Sequence, residues 1–357
     1  MMKELRIGLI GAGNIARTHL NSYKKIPGAK VVAICDINEE ILNSTGNAYG
    51  IEKRFTSVED MLKSTTLDAA DVCVWNCNHA KCAIAALDAG LNTLCEKPMA
   101  MNAEEAEAME AAAIRNNKLL MLGFVTRFSN EARIAKEFIA DGKLGEIYYS
   151  KAIYLRRNGC PGGWFSDKSK SGGGPIIDIG VHPLDLTRYL MGNPEPVSVS
   201  AVSFDKLHEE RAQLKTIAGW MPKGADARYD KNDVEDSAVA IIRYANGAAT
   251  LLETSYALNC IPKTERELYG TKGGISFGDN GLKIFTEVNG FMANVDLQDL
   301  NFYREKADLF DCEMNHFVDC CLNGTKCDSP AHDGVVIMKI LDALYESAKT
   351  GKEVTIK

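Results

Sequence analysis

One short turn restricts what this chain can become. Leu5-Arg6-Ile7-Gly8-Leu9-Ile10 is an apolar run with β character, and Gly11-Ala12-Gly13-Asn14-Ile15-Ala16 follows at once. The turn reads G-x-G-x-x-A, a variant of the dinucleotide fingerprint. Ile15, His19, Leu20, Tyr23 and Ile26 then recur at helical spacing, and a second apolar run over 30–35 ends in Asp36. Gly11 makes the tight turn, Gly13 lets the backbone approach a pyrophosphate, and Ala16 is small enough to seat the helix on the sheet. Asn14 and Ile15 open that helix, whose free N–H groups and partial positive charge suit phosphates. Asp36 lies where an acid binds the adenosine ribose 2′-OH. Ile37 and Asn38 supply no arginine for a 2′-phosphate, so NAD is expected rather than NADP. The competing reading is a glycine turn that binds no nucleotide. Strand, helix, strand and acid in register favour the dinucleotide.

With 357 residues the chain is long enough for two domains, each with its own core. The expected division is 1–123 for the nucleotide and 124–357 for substrate binding and oligomerisation, with C-terminal helices packing back on the first domain. A net charge of −7 and the lack of a long basic run argue against nucleic acid as a partner. The apolar stretches fall short of the ~18 residues of a membrane span. Met1-Met2-Lys3-Glu4 leads directly into the first strand, which leaves no room for a signal peptide and predicts a cytoplasmic protein. Of 11 cysteines, Cys35, Cys73, Cys82 and Cys95 fall on predicted strands or a helix face, as small hydrophobes. Cys73 and Cys77 have no second pair at zinc-like spacing, so free thiols and no metal are expected.

Beyond Asp36, helices are predicted over 38–49, 80–89 and 102–117, with another short one beginning at 57–60. Strands are predicted over 54–55, 70–75, 92–95 and 119–122. Alternation of this kind argues a doubly wound parallel sheet, with ligands at the carboxyl ends of its strands. Asn76, His79, Glu96 and Lys97 fall there. After 123 a helix is predicted over 129–141. Strands then follow in meander style over 146–155, 197–204, 237–244, 248–255, 265–269 and 274–277, with Asn246-Gly247 as a hairpin signal. The fold class is therefore α/β: a Rossmann domain, then an α+β domain with an open, mainly antiparallel sheet. Two helices close the chain, over 308–322 and 333–349, the first expected to bury Leu309, Phe310, Phe317 and Cys321. The polar stretch 205–233 reads as a surface insertion, a lid or a subunit contact.

Gly172-Gly173-Gly174-Pro175 precedes Ile176-Ile177-Asp178-Ile179-Gly180-Val181-His182. Glycine this dense is costly unless a backbone must turn or approach something closely. Asp178 and His182 share one face if the segment is helical, and Pro183 kinks or restarts that helix. A carboxylate beside an imidazole suits acid–base work. A capping aspartate and a core histidine are the alternative. Lys97 reads as a solvated charge, or as a lysine whose proton affinity an oxidised nicotinamide lowers.

These motifs together resemble the Gfo/Idh/MocA family of sugar and polyol oxidoreductases, over essentially the whole chain. The likeness lies in the Gly11–Ala16 turn, Glu96-Lys97-Pro98, the 172–185 stretch and Tyr269-Gly270-Thr271-Lys272-Gly273. It implies that Lys97, Asp178 and His182 form the catalytic constellation, and that the Lys97–Pro98 bond is cis. Trp75 departs from a proline common in the family. The loop at Gly162-Gly163-Trp164-Phe165 resembles a subset in which it approaches substrate. The implied activity is NAD-dependent oxidation of a secondary hydroxyl of a sugar, a glycoside (at C3) or a cyclic polyol. His182 is the first choice as base, with Lys97 the alternative. Arg127, Arg156, Trp164 and Asp185 are further substrate candidates, each open to a structural role. A redox-assisted, NAD-retaining glycosidase and a non-catalytic sugar or nucleotide sensor are the competing readings. A homo-oligomer, dimer or tetramer, is expected.

Overall fold

The structure is a computed structural model that describes residues 4–207, 231–279, 281–295, 297 and 308–357. The chain forms two compact units. One comprises Met1–Phe128 and Ala307–Val335, the other Ser129–Lys306 and Val336–Lys357.

The first unit alternates strand and helix. Its elements are β1 (Leu5–Ile10), α1 (Asn14–Tyr23), β2 (Ala29–Cys35), α2 (Glu39–Tyr49), β3 (Lys53–Phe55) and α3 (Val58–Ser64). They continue through β4 (Ala69–Val72), α4 (His79–Asp88), β5 (Asn92–Glu96), α5 (Ala103–Asn116) and β6 (Leu120–Gly123). The sheet order is β3-β2-β1-β4-β5-β6, with every pair parallel. The order reverses between β1 and β4, the switch point where such sheets take ligands. Side-chain caps start three of these helices: Asn38, expected inside its helix, instead caps it and accepts from Ile41 N, while Ser57 accepts from Asp60 N and Asn102 from Glu105 N.

A helix from the far end of the sequence completes this unit. In α9 (Leu309–Asn323), Met314, Phe317 and Val318 share a core with Leu5, Ile7, Tyr23, Leu94 and Met121. The expected inner face needs correction. Of Leu309, Phe310, Phe317 and Cys321 only Phe317 is fully buried; the buried residues are Glu313, Met314, Phe317, Val318 and Cys320. Helical geometry puts positions 313, 317 and 320 on one stripe, and an acidic residue in that stripe disguised it.

The second unit holds α6 (Asn130–Ala140), β7 (Ile147–Leu155), α7 (Lys168–Ser171), α8 (Val181–Leu190) and β8 (Pro196–Phe204). Then come β9 (Ser237–Tyr244), β10 (Ala249–Ser255), β11 (Lys263–Gly270), β12 (Gly274–Gly278), β13 (Gly281–Val288), β14 (Phe291–Val295) and β15 (Val354–Thr355). Helix α10 spans Ala331–Thr350. The nine-stranded sheet runs β14-β13-β12-β11-β7-β10-β9-β8-β15. It is mostly antiparallel but not a plain meander: β7 lies between β11 and β10, and pairs parallel with β10. The long connection from β7 to β10 permits that parallel pair. One sheet face packs Leu268, Ile275 and Ile284 against Ala132, Ala135, Leu186 and Leu190 of α6 and α8. On β8 and β9, Val202, Val239 and Ile241 are 54, 43 and 42 % exposed. The 205–233 stretch lies for the most part outside the described residues.

Candidate active site

The nucleotide turn is built as its glycines require. Gly11 has φ +99°, and a Cβ there would stand 2.5 Å from the Cys73 carbonyl oxygen, so only glycine fits beside the end of β4. A Cβ on Gly13 would meet no atom within 4 Å. Among the described residues nothing demands glycine at Gly13, and the position leaves the backbone open to a ligand. Helix α1 begins there with no side-chain cap and no acid in its first turn. The amides around Asn14 and Ile15 therefore suit an anion. Asp36 is aimed by two backbone donors: Ala12 N reaches Oδ2 at 2.8 Å and Asn38 N reaches Oδ1 at 2.8 Å. Each oxygen keeps acceptor capacity for a ribose hydroxyl.

At the ends of β4 and β5 the residues divide into inward and outward groups. Asn76 is buried in a single 3-10 turn, and Trp75 beside it is exposed. His79 opens α4, fully enclosed. Its Nδ1 lies 2.7 Å from the Pro98 carbonyl and its Nε2 3.0 Å from that of Val74. Burial holds its proton affinity below the ordinary imidazole range. Glu96 also points inward. Its Oε1 lies 3.1 Å from His19 Nε2, and its Oε2 accepts from Lys97 N at 3.1 Å. A Cβ on Gly123 would press on Glu96 at 3.2 Å, so that glycine makes room for the carboxyl group. Lys97 follows at the strand end, half-buried, and its bond to Pro98 is cis, as the resemblance implies. Arg127 is buried, with Nη1 2.7 Å from Asp333 and 2.7 Å from the Asp328 carbonyl. That is the structural alternative left open for it.

In the second unit the glycine-rich stretch surrounds protein rather than empty space. Gly172 ends α7 at φ +86°. A Cβ on Gly173 would strike the Tyr345 hydroxyl, and one on Gly174 the backbone of Glu235. The Glu235 carboxylate accepts from Gly174 N and Ile176 N at 3.1 Å each, and Tyr345 donates to it at 3.1 Å. Ile176–Gly180 then forms one π turn, and α8 restarts at Val181. The wider turn accommodates Pro183, which lacks an N–H to give. Asp178 sits on the π turn, buried, and Tyr256 donates to its Oδ2 at 2.6 Å. Burial first, then Asp178, push the Tyr256 phenol well above its ordinary range, so it remains a donor. His182 is the second residue of α8, half-buried, and Asp185 is buried one turn on. Arg156 donates to the Gly159 carbonyl at 2.8 Å and to the Tyr154 hydroxyl at 3.1 Å, with its guanidinium 6.0 Å from the Tyr256 ring centre. Trp164 stacks on Phe165 at 3.9 Å. Sequence reasoning missed Tyr256 and Glu235, which lie far along the chain from the carboxylate and loop they hold.

Comparison with known proteins bears on both units. The family described as "Oxidoreductase family, NAD-binding Rossmann fold" matches residues 5–124, and the "GFO/IDH/MocA C-terminal domain" matches residues 132–276. D-glucoside 3-dehydrogenase of Escherichia coli (strain K12) is 34% identical, over 99% of this chain and 97% of that protein. Levoglucosan dehydrogenase of Pseudarthrobacter phenanthrenivorans is 31% identical, over 77% of this chain and 74% of its own. A structure of levoglucosan dehydrogenase in complex with NADH and L-sorbose superposes with a TM-score of 0.84 at 25% identity, covering 100% of both chains.

Proposed function

Because the chain belongs to the GFO/IDH/MocA family of oxidoreductases, we propose that it oxidises a secondary hydroxyl of a sugar, glycoside or cyclic polyol with NAD. The observation that carries this reading is the Asp36 carboxylate, held by two backbone amides beside the uncapped start of α1. A D-glucoside 3-dehydrogenase matched along almost the whole chain favours a glycoside and its 3-hydroxyl within that range.

NAD, when bound, supplies the acceptor for the hydride. Gly11, Gly13, Asn14 and Ile15 hold its phosphates and Asp36 its adenosine ribose. Asn76, His79 and Glu96 shape the strand ends around Lys97. His182 takes the proton of the reacting hydroxyl. Asp178, fixed by Tyr256, orients His182 or holds a neighbouring hydroxyl. Lys97 stabilises the alkoxide charge that develops as the proton leaves. Arg156, Trp164 and Asp185 serve the substrate. The exposed apolar residues of β8 and β9 support self-association, and 11 free thiols fit a reducing compartment, the cytoplasm.

The test is NADH formation with a panel of methyl glycosides, anhydro sugars and inositols, and identification of the oxidised carbon by NMR. An oxo group at C3 of a glucoside is the expected product. NAD binding without NADH formation on any member would overturn the reading. Release of free sugar with no net NADH would replace it with the glycosidase alternative.

A further inference from the structure

Behind Glu96 the first unit encloses ionisable side chains that the proposed reaction does not use. His19 is fully buried on α1, with Nδ1 2.8 Å from Asp71 Oδ2 and Nε2 3.1 Å from Glu96 Oε1. Glu313 of α9 is fully buried as well, and neither of its carboxylate oxygens has a hydrogen-bond partner among the described residues. One atom each of His19, Glu96 and Glu313 lie within 4.8 Å of one another. Three carboxyl groups thus share an enclosed pocket with one imidazole, and burial of uncompensated negative charge is strongly unfavourable.

The hydrogen-bond pattern indicates what compensates it. Asp71 takes the Nδ1 proton, so Nε2 faces Glu96 and Glu313 with either a second proton or a bare lone pair. A proton on Nε2 satisfies Glu96, and Glu313 is then buried as the protonated acid, still without a hydrogen-bond partner among the described residues. A cation seated among the three groups satisfies all of them. The 3.1 Å between Nε2 and Oε1 matches the separation of two ligands each roughly 2.0–2.2 Å from one ion. A carboxylate on the far nitrogen of the imidazole is also the arrangement that orients metal-bound histidine. We infer that His19, Glu96 and Glu313 form a site for a divalent transition-metal ion of the zinc class, which ties α9 to α1 and β5. One nitrogen and two carboxylate oxygens suit zinc, cobalt or manganese, and Asp71 is the outer partner. Loading displaces the protons otherwise held on His19 and Glu313.

A second group, on the same helix and just beyond its end, supplies the control. Cys320 Sγ lies 3.4 Å from His316 Nε2, with Cys327 within 4.8 Å of both. There, however, Asp328 N donates to His316 Nε2 at 2.9 Å and occupies the lone pair a metal needs.

The experiment uses the full chain, stripped with a chelator and dialysed, then titrated with Zn²⁺ by calorimetry and with Co²⁺ by absorption spectroscopy. One ion per chain is expected, with proton release and no intense thiolate charge-transfer band in the cobalt form. Glu313→Gln keeps the shape and should weaken binding at least 100-fold. Asp71→Asn should weaken it about 10–100-fold, and Cys320→Ser should leave it unchanged. Melting curves of the metal-free variants report whether they fold. If Glu313→Gln does not, the wild-type titration and Asp71→Asn decide. Absence of stoichiometric binding by the wild type overturns the inference. So does a thiolate band, or a loss that follows Cys320→Ser instead of Glu313→Gln. Each readout is metal binding itself, so the result is separate from whether the proposed dehydrogenase activity is found.

Discussion

At the scale of single residues, Lys97 and His182 divide the proposed chemistry. His182→Ala should slow turnover by about 10²–10⁴-fold, and by less at high pH, where hydroxide takes over the proton. Lys97→Ala should cost a similar factor, about 10²–10³-fold, at every pH. Both should keep NAD affinity, and pH–rate profiles beside NAD titrations check this. Near wild-type turnover in His182→Ala, with the basic limb lost in Lys97→Ala, would exchange the roles. Cofactor choice rests on Asp36. The double change Asp36→Ser with Ile37→Arg should move preference towards NADP, since it removes a charge that repels a 2′-phosphate and adds one that binds it. Ratios of kcat/KM for the two cofactors report the shift. Asp36 and Gly11 were legible in the sequence because their partners lie within one strand–helix–strand unit. Tyr256 and Glu235 were not. Each is an unremarkable residue until the chain returns it to Asp178 or Gly174, and no local pattern encodes that return.

At the scale of elements, caps and turns were legible wherever the signal was local. Ser57 and Asn102 each cap the helix they precede, whereas Asn38, expected as the first helical residue, proves to be a cap as well. Strands β13 and β14 escaped the reading because their residues are largely exposed and show weak alternation. Their signal was the Asn289-Gly290 pair between them, where both residues take positive φ, at 53° and 82°. The π turn at Ile176–Gly180 was not legible either; Pro183 announced a disturbance but not its form. The glycines before it are tested by Gly174→Ala. A Cβ there collides with the Glu235 backbone, so the variant should lose about 1–3 kcal/mol of stability. Denaturant unfolding measures it. A stability equal to wild type would show that the loop gives way and that close approach is not why glycine stands there.

At the scale of the whole molecule, the two sheet types were predictable from the change in strand spacing, but the order of the second sheet was not. The parallel pair of β7 and β10 joins segments that lie far apart along the chain, with α7, α8, β8 and β9 between them among the described residues, a contact that no short-range pattern contains. The outer face of that sheet carries the prediction at this scale. Val202 and Val239 are direct cross-strand neighbours, and Ile241 follows on the same face. If the chain self-associates through this face as proposed, Ile241→Lys with Val239→Lys should give monomers in sedimentation velocity without lowering the melting point of the isolated chain. A monomeric wild type would remove the proposal of self-association. The other large-scale feature is that the first unit is assembled from both ends of the sequence. A ribosome delivers Leu5, Ile7, Leu94 and Met121 long before Met314, Phe317 and Val318. Throughout synthesis of the intervening chain, the nascent nucleotide domain therefore presents an unfinished hydrophobic surface. It is a natural client for chaperones that work at the exit tunnel, and closes only after α9 has been made.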